Sequence, residues 1–189
     1  MNIFLDIHPG DIVMDCGANV GKITQKFAER GAFVYAFEPN PRAFEVLSQK
    51  FVHNPNVVCI QKGVWDRNTV ISLYHHKEYD QNPLHFSESS SIYSSKINMD
   101  QQNSIKIEVI DLADFIYKIN KPIKLLKMDI EGAEYYVLIK LIRTRLYLKI
   151  QKIIAETHAD RIPELRMKEN ELMELIRKNK VDNIDLSWI

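Results

Sequence analysis

The 189-residue chain has no surplus of either charge: 25 Lys and Arg stand against 25 Asp and Glu. A phosphate backbone calls for a basic surface, so no nucleic-acid partner is expected. Cysteine is scarce, and Cys16 and Cys59 both fall in apolar, strand-like runs. That excludes a disulfide framework or a cysteine zinc site and points to buried thiols in a reducing compartment. No apolar run reaches bilayer length. Asp6, His8, Pro9 and Asp11 interrupt the start of the chain, so neither a membrane span nor a signal peptide is expected. Internal repeats and linkers are also missing, which makes one domain over residues 1–189, in the cytoplasm, the expectation. What is present is 46% hydrophobic, enough for an ordinary globular core.

A further absence lies in the stretch around which the chain is organised, Val13-Met14-Asp15-Cys16-Gly17-Ala18-Asn19-Val20-Gly21. It reads as strand, tight turn and helix, with Ile23, Phe27 and Ala28 on one helical face. The glycine-rich dinucleotide turn has a central glycine, and Asn19 stands there instead, which disfavours a pyrophosphate ligand. Gly17 and Gly21 let the backbone turn sharply and let a ligand approach it. Asp15 ends the first strand, Glu38 ends the second about 20 residues later, and Asp129 and Glu131 close a later one. An acid at the second strand's end suits a ribose diol. Four carboxylates around one pocket suit a ligand that joins an adenosine ribose to an ammonium and a sulfonium, which is S-adenosylmethionine (SAM). The competing reading of each acid alone is a helix cap or a solvated loop end.

His8-Pro9-Gly10-Asp11 is a turn into the first strand. Phe33 to Glu38 is a nearly continuous apolar run, as in a parallel strand covered on both faces. Asn40-Pro41 starts a helix as cap and first residue, with Phe44, Leu47 and Phe51 on its buried face. Val57 to Ile60 is the third strand, giving βαβαβ and an open parallel sheet. The pattern then changes. After Gly63 to Asp66, Asn68 is a turn residue, and Val70–Tyr74 and Ile105–Val109 read as an antiparallel pair. Between them a polar loop over about 77–104, with His75, His76, His85 and a serine run at Ser87 and Ser89 to Ser91, is expected to act as a lid. Helices follow from Asp111 to Ile119, after Gly132, and from Ile162 to about Asn179. Strands follow over Lys124–Ile130, Lys152–Thr157 and Asn183–Ile189.

Asp-Cys-Gly-Ala-Asn-Val-Gly (15–21), Ala-Phe-Glu-Pro-Asn-Pro (36–41), Lys-Met-Asp-Ile-Glu-Gly-Ala-Glu (127–134) and Glu-Thr-His (156–158) resemble the FkbM family of SAM-dependent methyltransferases. The resemblance implies an α/β, Rossmann-like class I methyltransferase fold. That is a mostly parallel central sheet with helices on both faces, here with an antiparallel pair inserted after the third strand. It implies methyl transfer from SAM, leaving S-adenosylhomocysteine (SAH), to a hydroxyl of a sugar, polyketide or similar small acceptor. The chain starts close to the first strand and ends after one strand where this fold usually has two more. An exposed sheet edge is a route to dimerisation, so the expectation is a monomer or a homodimer.

By the same resemblance Gly17 with Ala18 and Gly21 meets the methionine part of SAM, Asp15 its ammonium, and Glu38 its ribose, flanked by Pro39 and Asn40. Asn19 holds the turn, and Gly63 and Val64 border the adenine, with Trp65 either stacked on it or in the core. Methylating a hydroxyl requires removal of its proton. His158 is the expected general base, with Asp129 or Glu131 as alternative base or orienter. A divalent metal on Asp129, Glu131 and His158 is a minority reading, so the expected metal is none. The alternatives are an NAD(P)-binding Rossmann oxidoreductase and a SAM-binding protein without turnover.

Overall fold

The computed structural model describes residues 4, 6–78, 90–96 and 99–188. Six strands and four helices build the main layer: β1 (Ile12–Cys16), α1 (Lys22–Ala28), β2 (Phe33–Phe37), α2 (Pro41–Phe51), β3 (Val57–Ile60), β7 (Ile123–Met128), α4 (Glu134–Arg143), β8 (Ile150–Ala155), α5 (Arg166–Asn179) and β9 (Ile184–Asp185). Between β3 and β7 lie β4 (Gly63–Trp65), β5 (Thr69–His76), β6 (Met99–Asp111) and α3 (Leu112–Ile119). The strand order is β3-β2-β1-β7-β8-β9, and every pairing in that sheet is parallel.

Both faces of this sheet are buried, which is why its strands read as unbroken apolar runs. Successive residues of β1 go to opposite cores. Val13 packs with Phe27, Leu47 and Phe51 of α1 and α2, whereas Met14 and Cys16 pack with residues of α3 and α4 such as Ile116 and Leu138. α2 begins as the sequence predicts: the Asn40 side chain accepts from Arg42 N and Pro41 takes the first turn. Asp111 caps α3 in the same way, accepting from Asp114 N at 3.1 Å.

Several expectations change. Gly63–Trp65, given no element by the sequence pattern, is a strand and pairs parallel with β6 in a second sheet of order β4-β6-β5. The antiparallel β5–β6 pair is present but longer, because β6 starts at Met99 and takes residues 99–104 out of the expected loop. His85, Ser87 and Ser89 lie outside the described residues. A 3-10 turn over Pro163–Leu165 precedes α5, and the last strand is two residues long. No helix among the described residues is long and apolar enough to cross a membrane.

The chain runs outward from β1 in one direction through β2 and β3, and from β7 in the other through β8. The reversal lies between β1 and β7, where ligands of open α/β sheets bind. There the two strand ends meet closely. A Cβ on Gly17, which has φ +79°, would stand 1.8 Å from the Asp129 carbonyl oxygen. A Cβ on Gly21 would meet the Phe51 ring at 2.7 Å. Protein packing alone thus already requires glycine at both positions. Gly17→Ala is expected to destabilise the fold by about 2–4 kcal/mol through backbone clash and left-handed strain. Urea unfolding at unchanged m-value checks this.

Candidate active site

Glu38 is the first residue past β2, and its carboxylate ties two turns together. Oε2 accepts from Asn19 N at 2.8 Å and Oε1 from Asn40 N at 2.7 Å. Only 6% exposed, it still lines the crevice above the sheet. Burial pushes its pKa up to about 7 against the pull of these two N–H groups and of Lys127. Each oxygen keeps a second lone pair, so the carboxylate can accept two further hydrogen bonds.

The turn itself offers no free donors. Gly17 N and Ala18 N both bond to Phe37 O, Asn19 N to Glu38, Val20 N to Asn19 Oδ1, and Gly21 N to Ala18 O. A pyrophosphate cradle needs such N–H groups pointing outward. The turn therefore argues against a dinucleotide more directly than charge does.

Asp15 is corrected. It is fully buried behind the turn and not part of the crevice lining. Its Oδ2 accepts from Thr24 Oγ1 at 2.6 Å and its Oδ1 faces Lys127 Nζ at 3.2 Å. Lys127 Nζ also donates to Gly17 O at 2.9 Å. Burial alone would favour the neutral amine, but Asp15 beside it and Asp129 farther off outweigh this and raise the Lys127 pKa above the ordinary lysine value. Lys127 was missed as a functional residue, although a lysine inside the apolar run 125–128 is itself a signal: buried, it must find an acid.

β7 ends at Met128, so Asp129 and Glu131 belong to a loop and not to one side of a strand. Glu131 takes the left-handed conformation, φ +58°. Glu134, fully buried, clamps this loop by accepting from Ile130 N at 2.8 Å and Gly132 N at 3.0 Å. Ser91 Oγ donates to Glu131 O at 2.8 Å while the Ser91 backbone pairs with Tyr74, and Lys96 is bonded to the Glu131 carboxylate. Burial raises the pKa of Asp129 and of Glu131; Lys127 opposes the first shift and Lys96 the second.

His158 lies three residues beyond β8 and is 1% exposed. It does not line the crevice; Asp129 and Glu131 do. Its ring is surrounded by acids: Nε2 stands 3.2 Å from Glu131 Oε2, 3.8 Å from Glu156 Oε1 and 3.9 Å from Asp129 Oδ1, and Nδ1 stands 3.3 Å from Glu134 Oε1. Burial would lower its pKa, but Glu134, Glu131 and Asp129 together hold it up at about 9. His158, the expected general base, thus stands behind two carboxylates that themselves line the crevice.

The crevice brings together Gly17, Ala18, Asn19, Glu38, Pro39 and Asn40 on one side and Asp129 and Glu131 on another, with Gly63 and Val64 between the sheets. Gly21, Asp15 and His158 stand outside its lining. Trp65 lines it too and also packs on Tyr136, ring centroids 5.4 Å apart. The lining is not purely acidic, because Lys22, Lys62 and Lys127 share it. Its far wall is apolar: Ile71 and Leu73 of β5, Ile107 and Val109 of β6, and Ile92.

A parallel sheet with its switch point at β1/β7, an acid after β2 and an acidic loop after β7 define the Rossmann-like class I methyltransferase fold. The chain belongs to the FkbM methyltransferase family: the model of the Methyltransferase FkbM domain matches residues 15–182. Among solved structures, an rRNA methylase from Streptococcus thermophilus overlays with a TM-score of 0.50 at 12% identity, covering 93% of this chain and 74% of that one. A precorrin 8w decarboxylase from Methanobacterium thermoautotrophicum overlays with a TM-score of 0.48 at 17% identity, covering 94% and 67%. At 12% identity the likeness to the rRNA methylase speaks for the fold alone. Among curated proteins none matches the sequence.

The Asp15–Lys127 pair gives a prediction. Lys127→Met leaves a buried carboxylate without its cation and is expected to cost about 3–5 kcal/mol. The double variant with Asp15→Asn should recover part of that loss. Thermal or urea unfolding of the three variants measures the coupling.

Proposed function

We propose that this protein uses SAM to methylate a hydroxyl of a small polar acceptor, such as a sugar or a secondary metabolite. The observation that carries the reading is the buried Glu38 carboxylate, opening onto a crevice at the end of β2 in an FkbM domain. The residues present fit the cofactor. Glu38 has two acceptor positions left for a ribose diol, Pro39, Gly63 and Val64 offer a narrow, mostly apolar slot for a base, and Asp129 offers a carboxylate to an ammonium. When bound, SAM supplies an electrophilic methyl group on a sulfonium. The acceptor hydroxyl must lose its proton as it attacks. Asp129 and Glu131 are the carboxylates that reach the crevice from the β7 loop, and burial makes both more basic than an ordinary acid. His158, behind them, positions the pair. The apolar wall of β5 and β6 would cover the ligand's non-reacting surface.

Calorimetry is expected to show SAH binding and no NAD binding; NAD binding without SAH would overturn the reading. The pH dependence follows from Glu38. Its carboxylate form accepts both hydroxyls, and its pKa stands near 7, so SAH affinity should tighten as pH rises from about 6 to 8. Protonation can weaken it by up to ~10-fold per unit below that pKa. Glu38→Gln should weaken binding and flatten this dependence. In methyl transfer from labelled SAM to a panel of hydroxyl acceptors, Asp129→Asn or Glu131→Gln is expected to slow turnover by about 10²–10⁴-fold. Full activity in both variants would exclude the β7 loop as the proton acceptor.

A further inference from the structure

The β7 loop and His158 form a cluster whose charges do not balance. Four carboxylates lie within 3.9 Å of the His158 ring nitrogens. Lys96 answers Glu131, and Arg161 answers Glu156 at 3.5 Å. Among the described residues, Asp129 and Glu134 have no cationic partner within ion-pair distance other than His158. Two carboxylates and one imidazole thus remain together, with Glu134 and His158 buried and Asp129 partly exposed.

His158 is also incomplete. It is 1% exposed, yet neither ring nitrogen has a hydrogen-bond partner. A buried polar atom left so carries a cost that native structures rarely accept. Glu131 Oε2 stands 3.2 Å from Nε2 and Glu134 Oε1 3.3 Å from Nδ1. Two ligands on one tetrahedral ion with bonds near 2.0 Å stand about 3.3 Å apart. The 3.3 Å between His158 Nδ1 and Glu134 Oε1 is therefore also the spacing of two neighbours on one coordination shell, and Asp129 Oδ1, 3.9 Å from Nε2, lies farther off.

We propose that Asp129, Glu134 and His158 bind a divalent first-row transition-metal ion of the Mn²⁺ or Zn²⁺ type at the inner edge of the crevice. One ligand atom from each lies within 4.8 Å of the other two, so small side-chain movements bring all three onto one ion. Two carboxylates neutralise its charge, and the imidazole selects it over Mg²⁺ or Ca²⁺, which prefer oxygen alone. Glu134 is already oriented by the N–H groups of Ile130 and Gly132, the outer-shell support that fixes a metal ligand. The ion's purpose, though not its binding, rests on the methyl-transfer reading. Beside Asp129 it would favour the ionised form of the acceptor hydroxyl, and the proton would pass to Glu131, which Lys96 holds in place.

The test uses the full chain stripped with chelator. Titration with MnCl₂ and with ZnCl₂, followed by calorimetry and, for Mn²⁺, by loss of the free-ion EPR signal, is expected to show one ion per chain. The melting temperature should rise with ion concentration. Asp129→Asn and His158→Gln should each weaken binding at least ~10-fold. If His158→Gln does not fold, Asp129→Asn carries the test, since that side chain is 35% exposed. Absence of saturable binding, or binding unchanged in these variants, overturns the site. SAH titrated into the stripped protein separates the two readings. SAH binding without ion binding removes the metal and leaves methyl transfer standing; ion binding without SAH binding does the reverse.

Discussion

The contact on which the site depends is the one between the ends of β1 and β7, where the Gly17 backbone and the Asp129 carbonyl occupy space that no side chain could share. Phe37 O takes the N–H groups of Gly17 and Ala18, Cys16 O takes that of Asp129, and Lys127 Nζ reaches Gly17 O from below. Three strand ends are thereby fixed to one another within hydrogen-bond distance. Glu38 adds the fourth tie, from β2 to both the first turn and α2. The rim of the crevice is rigid because its polar backbone is consumed internally, and ligands must be recognised by side chains.

Much of the main sheet was legible because local signals and tertiary outcome agree. The runs at 12–16, 33–37 and 123–128 are covered on both faces, and Asn40-Pro41 places the start of α2 without help from the rest of the fold. Gly63–Trp65 was not legible as a strand, since its partner is β6, more than 40 residues on, and nothing local encodes that pairing. Asp129 and Glu131 were found as acids but set on a strand, because alternation alone does not reveal that Glu131 turns into left-handed backbone. Asp15 was assigned to the crevice on charge, but its partners, Thr24 and Lys127, show that it belongs to the floor. Lys96 carried no signal and Ser91 stood out only as part of a serine run: their roles arise through contacts with a loop 35 or more residues away.

The two sheets divide the chemistry. The parallel sheet contributes charged and polar groups from loops at its carboxyl edge, and the smaller sheet contributes Ile71, Leu73, Ile107 and Val109, a surface with no polar side-chain atoms. Any electrostatic interaction inside the crevice therefore acts across a weakly screening medium, where the buried pairs Asp15–Lys127 and Lys96–Glu131 count for more than they would in water. The raised pKa values of Glu38, Asp129 and Glu131 are the same effect seen from the acids' side.

Ser91 joins these two halves. Its main chain extends the β5 edge at Tyr74 while its hydroxyl grips the carbonyl of Glu131. The apolar wall and the acidic loop are consequently coupled like two jaws on one hinge pin. Ile92 and Glu131, on opposite sides of the crevice, are thus both held through one small residue, and removing its hydroxyl would unfasten the acid from the wall.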